Sequence, residues 1–380
     1  MLKILTVIGA RPQIIKAAAL SRTIRLHFSG QITELIVHTG QHYDENMSQV
    51  FFDEMGIPAP HYNLNVGSGT HGGQTAAMIS GLEKILLEEK PHALVLYGDT
   101  NSTLAGAVAA SKLHIPVVHI EAGLRSFNKS MPEEINRVLC DHVSTLLFSP
   151  TKAGFDHLVN EGVAKKQNPV RANADAPAVY HCGDIMYDNS LYFGEIASEK
   201  TDILQREKLQ SGKFLLATVH RDNNTDIAER LFAIFTAFDK LSKAKNIPVV
   251  LPLHPRTKKN ISQHPSLQKM IDSNPLIRIV PPASFFEMIV LEKNALLVVT
   301  DSGGVQKEAF FFRKPCVILR PETEWVELVE CGAAILADAD ESRILSATEK
   351  LLSADIEYPA LFGDGHAAEF MCKKMLEHLS

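Results

Sequence analysis

The stretch "VVTDSGGVQKEA", Val298–Ala309, predicts both a fold and a binding turn. Apolar and β-branched residues lead into Ser302-Gly303-Gly304, and helix-forming residues follow the turn. This is the pattern of a strand, turn and helix in a parallel α/β sheet. Glycines let the backbone approach a ligand closely, and the hydroxyl, amides and helix dipole favour a diphosphate. We expect Glu308, one turn into the helix, to accept hydrogen bonds from ribose hydroxyls.

The same alternation of short strands and helices runs through the whole chain. The predicted strands are "KILTVIG", "ELIVHTG", "ALVLYGD", "PVVHIEAG", "TLLFSP", "VYHCGD", "FLLATVHR", "PVVLPLHPR", "LIRIVPP", "LLVVTDSGG", "PCVILRP" and "AAILAD". The pattern pauses between about Met186 and Gly212, a polar segment that suits an interdomain connection. We therefore predict an α/β protein with two Rossmann-like, doubly wound domains facing a cleft. The predicted domains are residues 1–185 and 186–365, and residues 366–380 form a helix that packs back on the first domain.

Composition and charge narrow the function classes. The 380 residues are 45% hydrophobic and 22% charged, as in a soluble globular enzyme. The net charge of -6 and the lack of a basic stripe argue against nucleic-acid binding. No apolar run reaches membrane-spanning length, and the N-terminal "MLKILTVIGARP" predicts a buried strand instead of a signal peptide. Five scattered cysteines without a C-x-x-C pair predict reduced thiols in a cytoplasmic protein and no metal site.

Charged residues follow several strands of the first domain, at the sheet edge where ligands bind in open parallel sheets. Arg11 and Lys16, in "GARPQIIK", predict an anion site at a helix N-terminus. Three carboxylates and one further cation complete the set: Asp99, Glu121, Glu133 and Arg137. Clustered carboxylates raise at least one pKa and suit general acid/base catalysis. The alternatives are that Arg11 and Lys16 are solvated cations, that Asp99 is a helix N-cap, and that Glu134 only pairs with a helix dipole at the surface.

Two strand ends of the second domain carry the residues that we expect to contact phosphate. His220 and Arg221 end one strand in "ATVHRDNN", and His254 ends the next in "LPLHPR". A histidine at a strand end is also often structural. Together with Ser302, Gly303 and Gly304, these residues predict a nucleoside diphosphate ligand. The acidic residues of the other domain favour a nucleotide sugar.

The loop "NVGSGTHGGQT", Asn65–Thr75, contains a G-x-G-x-x-G match. A dinucleotide fingerprint requires a preceding strand and an acidic residue about 20 positions later at a strand end. The loop follows "HYNL", which is no firm strand, and it lacks that acidic residue. We therefore predict that this loop is not a nicotinamide or flavin cradle.

The motifs resemble, in order, those of the non-hydrolysing UDP-N-acetylglucosamine 2-epimerases. They are "GARPQIIK", "GDTNSTLA", "HIEAGLRS", "MPEEINR", "HRDNN", "DSGGVQKEA", "TEWVE" and "FGDGHA", and they span about residues 3 to 378. The resemblance implies a glycosyltransferase-B-like fold, usually as a homodimer. It also implies elimination of UDP with loss of the C2 proton, formation of a 2-acetamidoglucal and re-addition of UDP, without metal or redox cofactor.

The resemblance also implies roles for individual residues. Asp99, Glu121 and Glu133 match the acid/base carboxylates, and His220 matches a histidine that assists the leaving UDP. Arg11, Lys16 and Arg137 match diphosphate and active-site contacts. Ser302, Gly303, Gly304 and Glu308 match the UDP-binding turn.

Two departures from the family pattern concern specificity. Well-studied bacterial members bind a second UDP-N-acetylglucosamine as an activator through an Arg and a Gln-His pair. This chain keeps Gln41 and His42 but has His71 near the position of that Arg, so these three are candidate effector or specificity residues. "TEWVE" stands in place of the commoner T-E-R-P-E. Both variants are similar to the branch that includes UDP-2,3-diacetamido-2,3-dideoxyglucuronate 2-epimerases, which serve surface polysaccharide synthesis.

Four functions follow from this reasoning. The leading one is epimerisation of UDP-N-acetylglucosamine, and the second is the same reaction on the diacetamido-glucuronate sugar. A glycosyltransferase and a non-catalytic nucleotide-sugar-binding protein are the others. The intact carboxylates and His220 count against the last two, because a binding module needs no acid/base groups.

Overall fold

The computed structural model describes residues 1–41, 55–163, 169–253 and 255–380, with all their side chains except that of Pro255. The chain divides into two compact units. The first comprises Met1–Asn189 and Ala360–Ser380, and the second comprises Ser190–Pro359.

A seven-stranded sheet forms the centre of the first unit. Its strands are β1 (Leu2–Ile8), β2 (Ile32–His38), β3 (Tyr62–Asn63), β4 (Ala93–Tyr97), β5 (Val117–Ile120), β6 (Leu146–Ser149) and β7 (Ala178–His181). All neighbours pair in parallel, in the order β3-β2-β1-β4-β5-β6-β7. Every residue of β4 is fully buried, as expected for a strand covered on both faces.

The first unit's helices connect these strands. They are α1 (Arg11–Thr23, continued by a π-helical segment at Ile24–Phe28), α2 (His71–Glu89), α3 (Asn101–Lys112), α4 (Pro132–Val143), α5 (Lys152–Asn160) and the start of α6 (Ile185–Lys200). Thr70 and Thr100 begin α2 and α3 as N-caps, because each hydroxyl accepts a hydrogen bond from the amide three residues on. The helices therefore start immediately after the loops that carry the predicted site.

A six-stranded parallel sheet forms the centre of the second unit. Its strands are β8 (Leu215–Thr218), β9 (Val249–Pro252), β10 (Ile277–Val280), β11 (Leu297–Thr300), β12 (Cys316–Ile318) and β13 (Ala334–Leu336). Their order is β10-β9-β8-β11-β12-β13. Both sheets thus share the strand order 3-2-1-4-5-6 of the Rossmann-like, doubly wound fold, which confirms the predicted fold class.

The helices of the second unit flank this sheet. They are α7 (Ile203–Arg206), α8 (Asp222–Thr225), α9 (Ala228–Lys245), α10 (Pro255–Ser262), α11 (Pro265–Asp272), α12 (Phe285–Asn294), α13 (Gly303–Phe311), α14 (Val326–Glu330) and α15 (Glu341–Ser353). In the core of this unit, buried side chains of β8, β9 and β11 pack in one cluster with Phe235 and Phe238 of α9. This packing fixes the strand ends that lead into α8 and α13.

Two details differ from the sequence-based expectations. The segment around Met186–Gly212 is largely helical, in α6 and α7, and the division between the units falls within α6. The two-residue strand β3 lies within "HYNL", where no firm strand was predicted, and pairs with the end of β2. The final helix, α16 (Ala367–Leu379), contacts α1, and its first two amides donate to the Asp188 carboxylate at 3.2 and 2.8 Å.

Candidate functional site

The strand order reverses between β1 and β4 in the first unit, and between β8 and β11 in the second. Doubly wound sheets bind ligands beyond the carboxyl ends of the strands at such points. Most of the predicted site residues that the structure describes follow these strands or β5, or lie on the helices that the loops lead into, whereas Gln41 follows β2.

The turn after β1 is held by a buried glutamine. The Gln13 side-chain oxygen accepts hydrogen bonds from the amides of Gly9 and Ala10 at 2.9 and 3.2 Å. A Cβ atom at Gly9 would lie 2.2 Å from the hydroxyls of Thr39 and Ser102, so only glycine fits there. Arg11 follows with an exposed side chain. The turn thus packs against the start of α3 and presents Arg11 outward.

Asp99, directly after β4 and Gly98, forms an ion pair with Arg137 of α4. Burial raises the pKa of Asp99, with the Arg137 and Lys16 cations opposing this shift and the carboxylates of Glu121 and Glu133 adding to it. The N-cap alternative for Asp99 is wrong, because Thr100 fills that position. A carboxyl with a raised pKa, held by a cation, is suited to exchange a proton.

Glu121, directly after β5, pairs with Lys16 of α1. Its φ of +73° is in the left-handed region, which is costly for a residue other than glycine. A Cβ atom at Gly98 would lie 3.2 Å from the Glu121 carboxylate and 3.3 Å from the Lys16 ammonium. The turn that carries Asp99 therefore contacts the Lys16–Glu121 pair. Both Lys16 and Glu121 are mostly buried, so Lys16 is not a solvated surface cation.

The two acidic residues at the start of α4 have different surroundings. Glu133 is exposed, whereas Glu134 is 2% exposed. The Glu134 carboxylate accepts hydrogen bonds from the amides of Ser126 and Phe127 at 2.9 and 3.0 Å and from Arg137 at 2.9 Å. Burial acts to raise the pKa of Glu134, but these donors lower it overall. The interpretation of Glu134 as a surface residue is wrong, since it orders the preceding loop and Arg137.

The glycine loop before α2 contacts the start of α3, next to Asp99. The Asn101 side chain donates to Gln74 at 2.8 Å and lies 3.2 Å from the His71 ring nitrogen. The Gln41 oxygen accepts hydrogen bonds from the amide and hydroxyl of Ser102 at 3.1 and 2.7 Å. Gln41 and His71 are thus both joined to the first turn of α3. His42 lies outside the described residues.

In the second unit, the buried carboxylate of Asp301 organises the end of β8. It accepts hydrogen bonds from the amides of His220 and Arg221 at 3.0 Å, and its other oxygen lies 3.1 Å from His220 Nδ1. Burial acts to raise the pKa of Asp301, but His220, the Arg221 amide and Asn224 lower it overall. This contact orients the His220 ring, which remains 42% exposed.

The Ser302-Gly303-Gly304 turn starts α13, whose first amides have no acceptor within the helix. A Cβ atom at Gly303 would lie 2.2 Å from a Glu324 carboxylate oxygen, so the "TEWVE" segment packs on this turn. The Lys307 ammonium lies 4.1 Å from the centre of the Trp325 ring. His254 lies outside the described residues.

The buried carboxyl group of Glu292 is adjacent to Glu308. Glu292 is 1% exposed, and its two carboxyl oxygens have no hydrogen-bond donor within the part of the chain that the structure describes. Burial, followed by the adjacent Glu308, raises the pKa of Glu292 well above its ordinary value. The two adjacent carboxyls therefore disfavour each other's charged form.

Sequence reasoning missed several buried polar residues that support the site. They are His119, Asp141, Asn224, Glu292 and Asp301. Asp301 directly precedes Ser302, and His119 lies two residues before Glu121. A polar side chain within an apolar run is the signal that could have identified both residues. Among the described residues, no group of histidine, cysteine and acidic side chains could hold a metal ion. No helix in those ranges is long and apolar enough to span a membrane.

Two doubly wound units, one with ion-paired carboxylates at its strand ends and one with a glycine turn at a helix N-terminus, are typical of the nucleotide-sugar enzymes. The family model for UDP-N-acetylglucosamine 2-epimerase matches residues 25–376. The chain belongs to this family of isomerases.

The similarity extends over the whole chain. The UDP-2,3-diacetamido-2,3-dideoxy-D-glucuronate 2-epimerase of Pseudomonas aeruginosa is 47% identical over 98% of this chain and 100% of its own length. The crystal structure of Methanocaldococcus jannaschii UDP-GlcNAc 2-epimerase in complex with UDP-GlcNAc and UDP matches with a TM-score of 0.82. It is 40% identical over 98% of this chain and 99% of that one.

The fold is shared beyond the family. Phytolacca americana UGT2, solved with UDP-2fluoro-glucose and pterostilbene, has a TM-score of 0.62 at 11% identity, over 99% of this chain and 94% of that one. At this identity the match concerns the fold alone. The glycosyltransferase-B-like fold class is thereby confirmed.

Proposed function

We propose that this protein interconverts UDP-N-acetylglucosamine and UDP-N-acetylmannosamine by inverting C2 of the sugar. The observation that carries the proposal is the pair of carboxylates at neighbouring strand ends, Asp99 and Glu121, each held by a cation. Family membership and the sequence motifs support the same reaction.

The proposed reaction uses proton transfer and a leaving diphosphate. One carboxylate removes the C2 proton while the C1–O bond breaks, and the electron pair of that bond leaves with UDP, which produces the 2-acetamidoglucal. UDP then adds back to C1, and a proton is delivered to the opposite face of C2. The raised pKa of Asp99 suits a group that must both take up and release a proton near neutral pH.

The remaining predicted residues either bind UDP or support the reaction in this proposal. Ser302, Gly303 and Gly304 hold the diphosphate through amides and a hydroxyl, and Glu308 accepts hydrogen bonds from the ribose. His220, oriented by Asp301, assists UDP as it leaves and returns. Arg11 supplies positive charge for the diphosphate, and Glu133 adds negative charge beside Asp99.

The comparisons favour the diacetamido-glucuronate sugar as a second candidate substrate. The 47% identical relative is named for this substrate.

Deuterium incorporation tests the reaction and separates the two sugars. The enzyme is incubated in deuterated water with each UDP-sugar, and the products are followed by NMR. We expect deuterium at C2 and the manno isomer with UDP-N-acetylglucosamine. Incorporation with only the glucuronate sugar would transfer the proposal to the second candidate, and incorporation with neither would refute both. Release of free sugar with UDP would indicate a hydrolysing enzyme instead.

We also propose a homodimer, formed through an exposed apolar stripe on α4. Met131, Ile135 and Leu139 recur at helical spacing and are 40%, 44% and 48% exposed. We expect Leu139→Glu to convert a dimer to a monomer in analytical ultracentrifugation. Leu87→Glu, at an exposed leucine on α2, is the matched control. A wild-type chain that sediments as a monomer would refute this proposal.

The protein is also proposed to be cytoplasmic, in line with its free cysteines.

A further inference from the structure

A buried histidine ring links the two strand ends that carry Asp99 and Glu121. His119, in β5, is fully buried. Its Nδ1 lies 2.7 Å from an Asp141 carboxylate oxygen, and its Nε2 lies 2.8 Å from the carbonyl oxygen of Gly98. Both neighbours are hydrogen-bond acceptors, so only a doubly protonated ring donates to both.

The surroundings of the ring favour that charged form. Burial alone would lower the pKa of His119, but the facing Cys140 and Asp141 raise it well above its ordinary value. The Asp141 carboxylate also accepts hydrogen bonds from Arg125 at 2.7 Å and from the Gly123 amide at 3.2 Å. Arg125 in turn forms two hydrogen bonds with Glu161, at 2.8 and 2.7 Å. Charges of alternating sign are therefore paired from the ring outward, as buried charges require.

The contact to Gly98 fixes the position of Asp99. Gly98 has a φ of +62° and directly precedes Asp99, so its carbonyl orientation is coupled to the direction of the Asp99 side chain. The Gly98 amide donates to the Ile120 carbonyl at 3.0 Å. β5 therefore binds Gly98 through two contacts: the Ile120 carbonyl accepts a hydrogen bond from the Gly98 amide, and the His119 ring donates one to the Gly98 carbonyl. Together these contacts fix the end of β4.

The same histidine also fixes Glu121. Glu121 lies two residues after His119 and has a φ of +73°. Asp141, the partner of His119, binds the amide of Gly123, two residues after Glu121. The strained turn is therefore held on both sides of Glu121 by one ion pair.

We propose that His119, as a buried imidazolium, is a positioning residue that sets the distance between Asp99 and Glu121 through the Gly98 carbonyl and Asp141. This inference rests on the proposed acid/base roles of those two carboxylates. Misplacing a catalytic group by about 1 Å can reduce a rate by about a hundredfold. A residue that positions the carboxylates should therefore affect turnover much more than it affects the affinity for UDP.

Two amide substitutions separate this role from a general packing role. In His119→Gln the amide nitrogen can occupy the place of Nε2 and still donate to Gly98. In His119→Asn the shorter amide reaches only toward Asp141. Both are uncharged, so the contact to Gly98 is the difference between them.

We expect His119→Asn to lower kcat for C2 deuterium exchange by at least about thirtyfold. His119→Gln should retain at least about five times the kcat of the asparagine variant. KM and the calorimetric Kd for UDP should stay within about threefold of wild type in both. Equal kcat values in the two variants, or equal losses in kcat and UDP affinity, would overturn the inference. Absence of exchange in the wild-type enzyme would instead refute the proposed function.

A measurement on the unmodified protein covers the case in which the variants do not fold. In the wild-type chain labelled with ¹⁵N-histidine, we expect the ring nitrogens of His119, assigned through coupling to its backbone, to show the doubly protonated form at pH 8. A neutral His119 ring at pH 8 would overturn the inference.

Discussion

The two units have the same strand order but use their strand ends differently. In the first unit, the ends of β4 and β5 carry the ion-paired carboxylates Asp99 and Glu121. In the second unit, the buried carboxylate at the corresponding point, Asp301, binds backbone amides and a histidine. The first arrangement presents titratable side chains, and the second presents a glycine turn and a helix N-terminus.

This difference follows from what the proposed task of each unit requires. A diphosphate keeps its charge while it is bound, so fixed amides and a helix dipole are sufficient to hold it. Moving a proton at carbon requires groups whose charge changes near neutral pH, and these groups need cations nearby and partial burial. The comparison therefore predicts that substitutions of Asp99 and Glu121 in the first unit affect turnover and that substitutions in the glycine turn of the second unit affect affinity.

Asp99→Asn should have the largest effect on turnover. The amide keeps the size of the side chain but can no longer take up or release the proton. We expect kcat for C2 deuterium exchange to fall by at least about a hundredfold, while the calorimetric Kd for UDP stays within about threefold. Asp156→Asn, at an exposed ion pair on α5, is the matched control and should keep wild-type turnover. If UDP affinity falls by a similar factor, Asp99 is a ligand for UDP, and the proposed assignment of turnover to the first unit is wrong.

Gly303→Ala tests the second unit. The new methyl group would collide with the Glu324 carboxylate, which is the end of a flexible side chain and can move, so the fold should persist. The methyl also occupies the space where a phosphate approaches the backbone. We expect the Kd for UDP to rise about tenfold, which is about 1.4 kcal/mol. Turnover at saturating substrate should change by less than about threefold.

The control for this variant is Gly30→Ala, where no atom lies within 4 Å of the added Cβ. It should bind UDP like wild type. A Gly303→Ala variant with normal UDP affinity but low turnover would reverse the expected assignment of the two units.

Much of the fold was readable from the sequence because strands of parallel sheets are continuous apolar runs. The exceptions have physical causes. Strand β3 has only two residues, too few for any period to appear. The segment at Met186–Gly212 appeared irregular because α6 has small and polar residues dispersed among apolar ones.

The site was only partly readable. Asp99 and Glu121 stood out because a charged residue directly follows an apolar strand. The partners that hold the site depend on long-range contacts, such as Asp301 with His220, 81 residues apart. Sequence reasoning places Glu133 in the site and Glu134 at the surface, but it has no signal for which of the two is buried, because the direction of each side chain depends on how α4 packs. Only the structure shows that Glu134 is the buried one.

Glu292→Gln has the smallest expected effect and tests the adjacent carboxyls of Glu292 and Glu308 in the second unit. Because folding raises the pKa of Glu292 above its ordinary value of 4.5, the folded state binds a proton that the unfolded state releases. The wild-type protein therefore loses stability as the pH rises above about 4.5 toward the raised pKa. Glutamine is neutral at every pH and avoids this loss.

We expect the variant and wild type to unfold alike in urea at pH 4.5, and the variant to be about 1 kcal/mol more stable at pH 8. Glu195→Gln, at an exposed position of α6, should show no such pH-dependent difference. If the glutamine variant is less stable than wild type by the same amount at both pH values, ionisation of Glu292 does not affect the stability of the protein, and this prediction is wrong. In the expected case, the titratable pair of the second unit affects folding, whereas that of the first unit affects turnover.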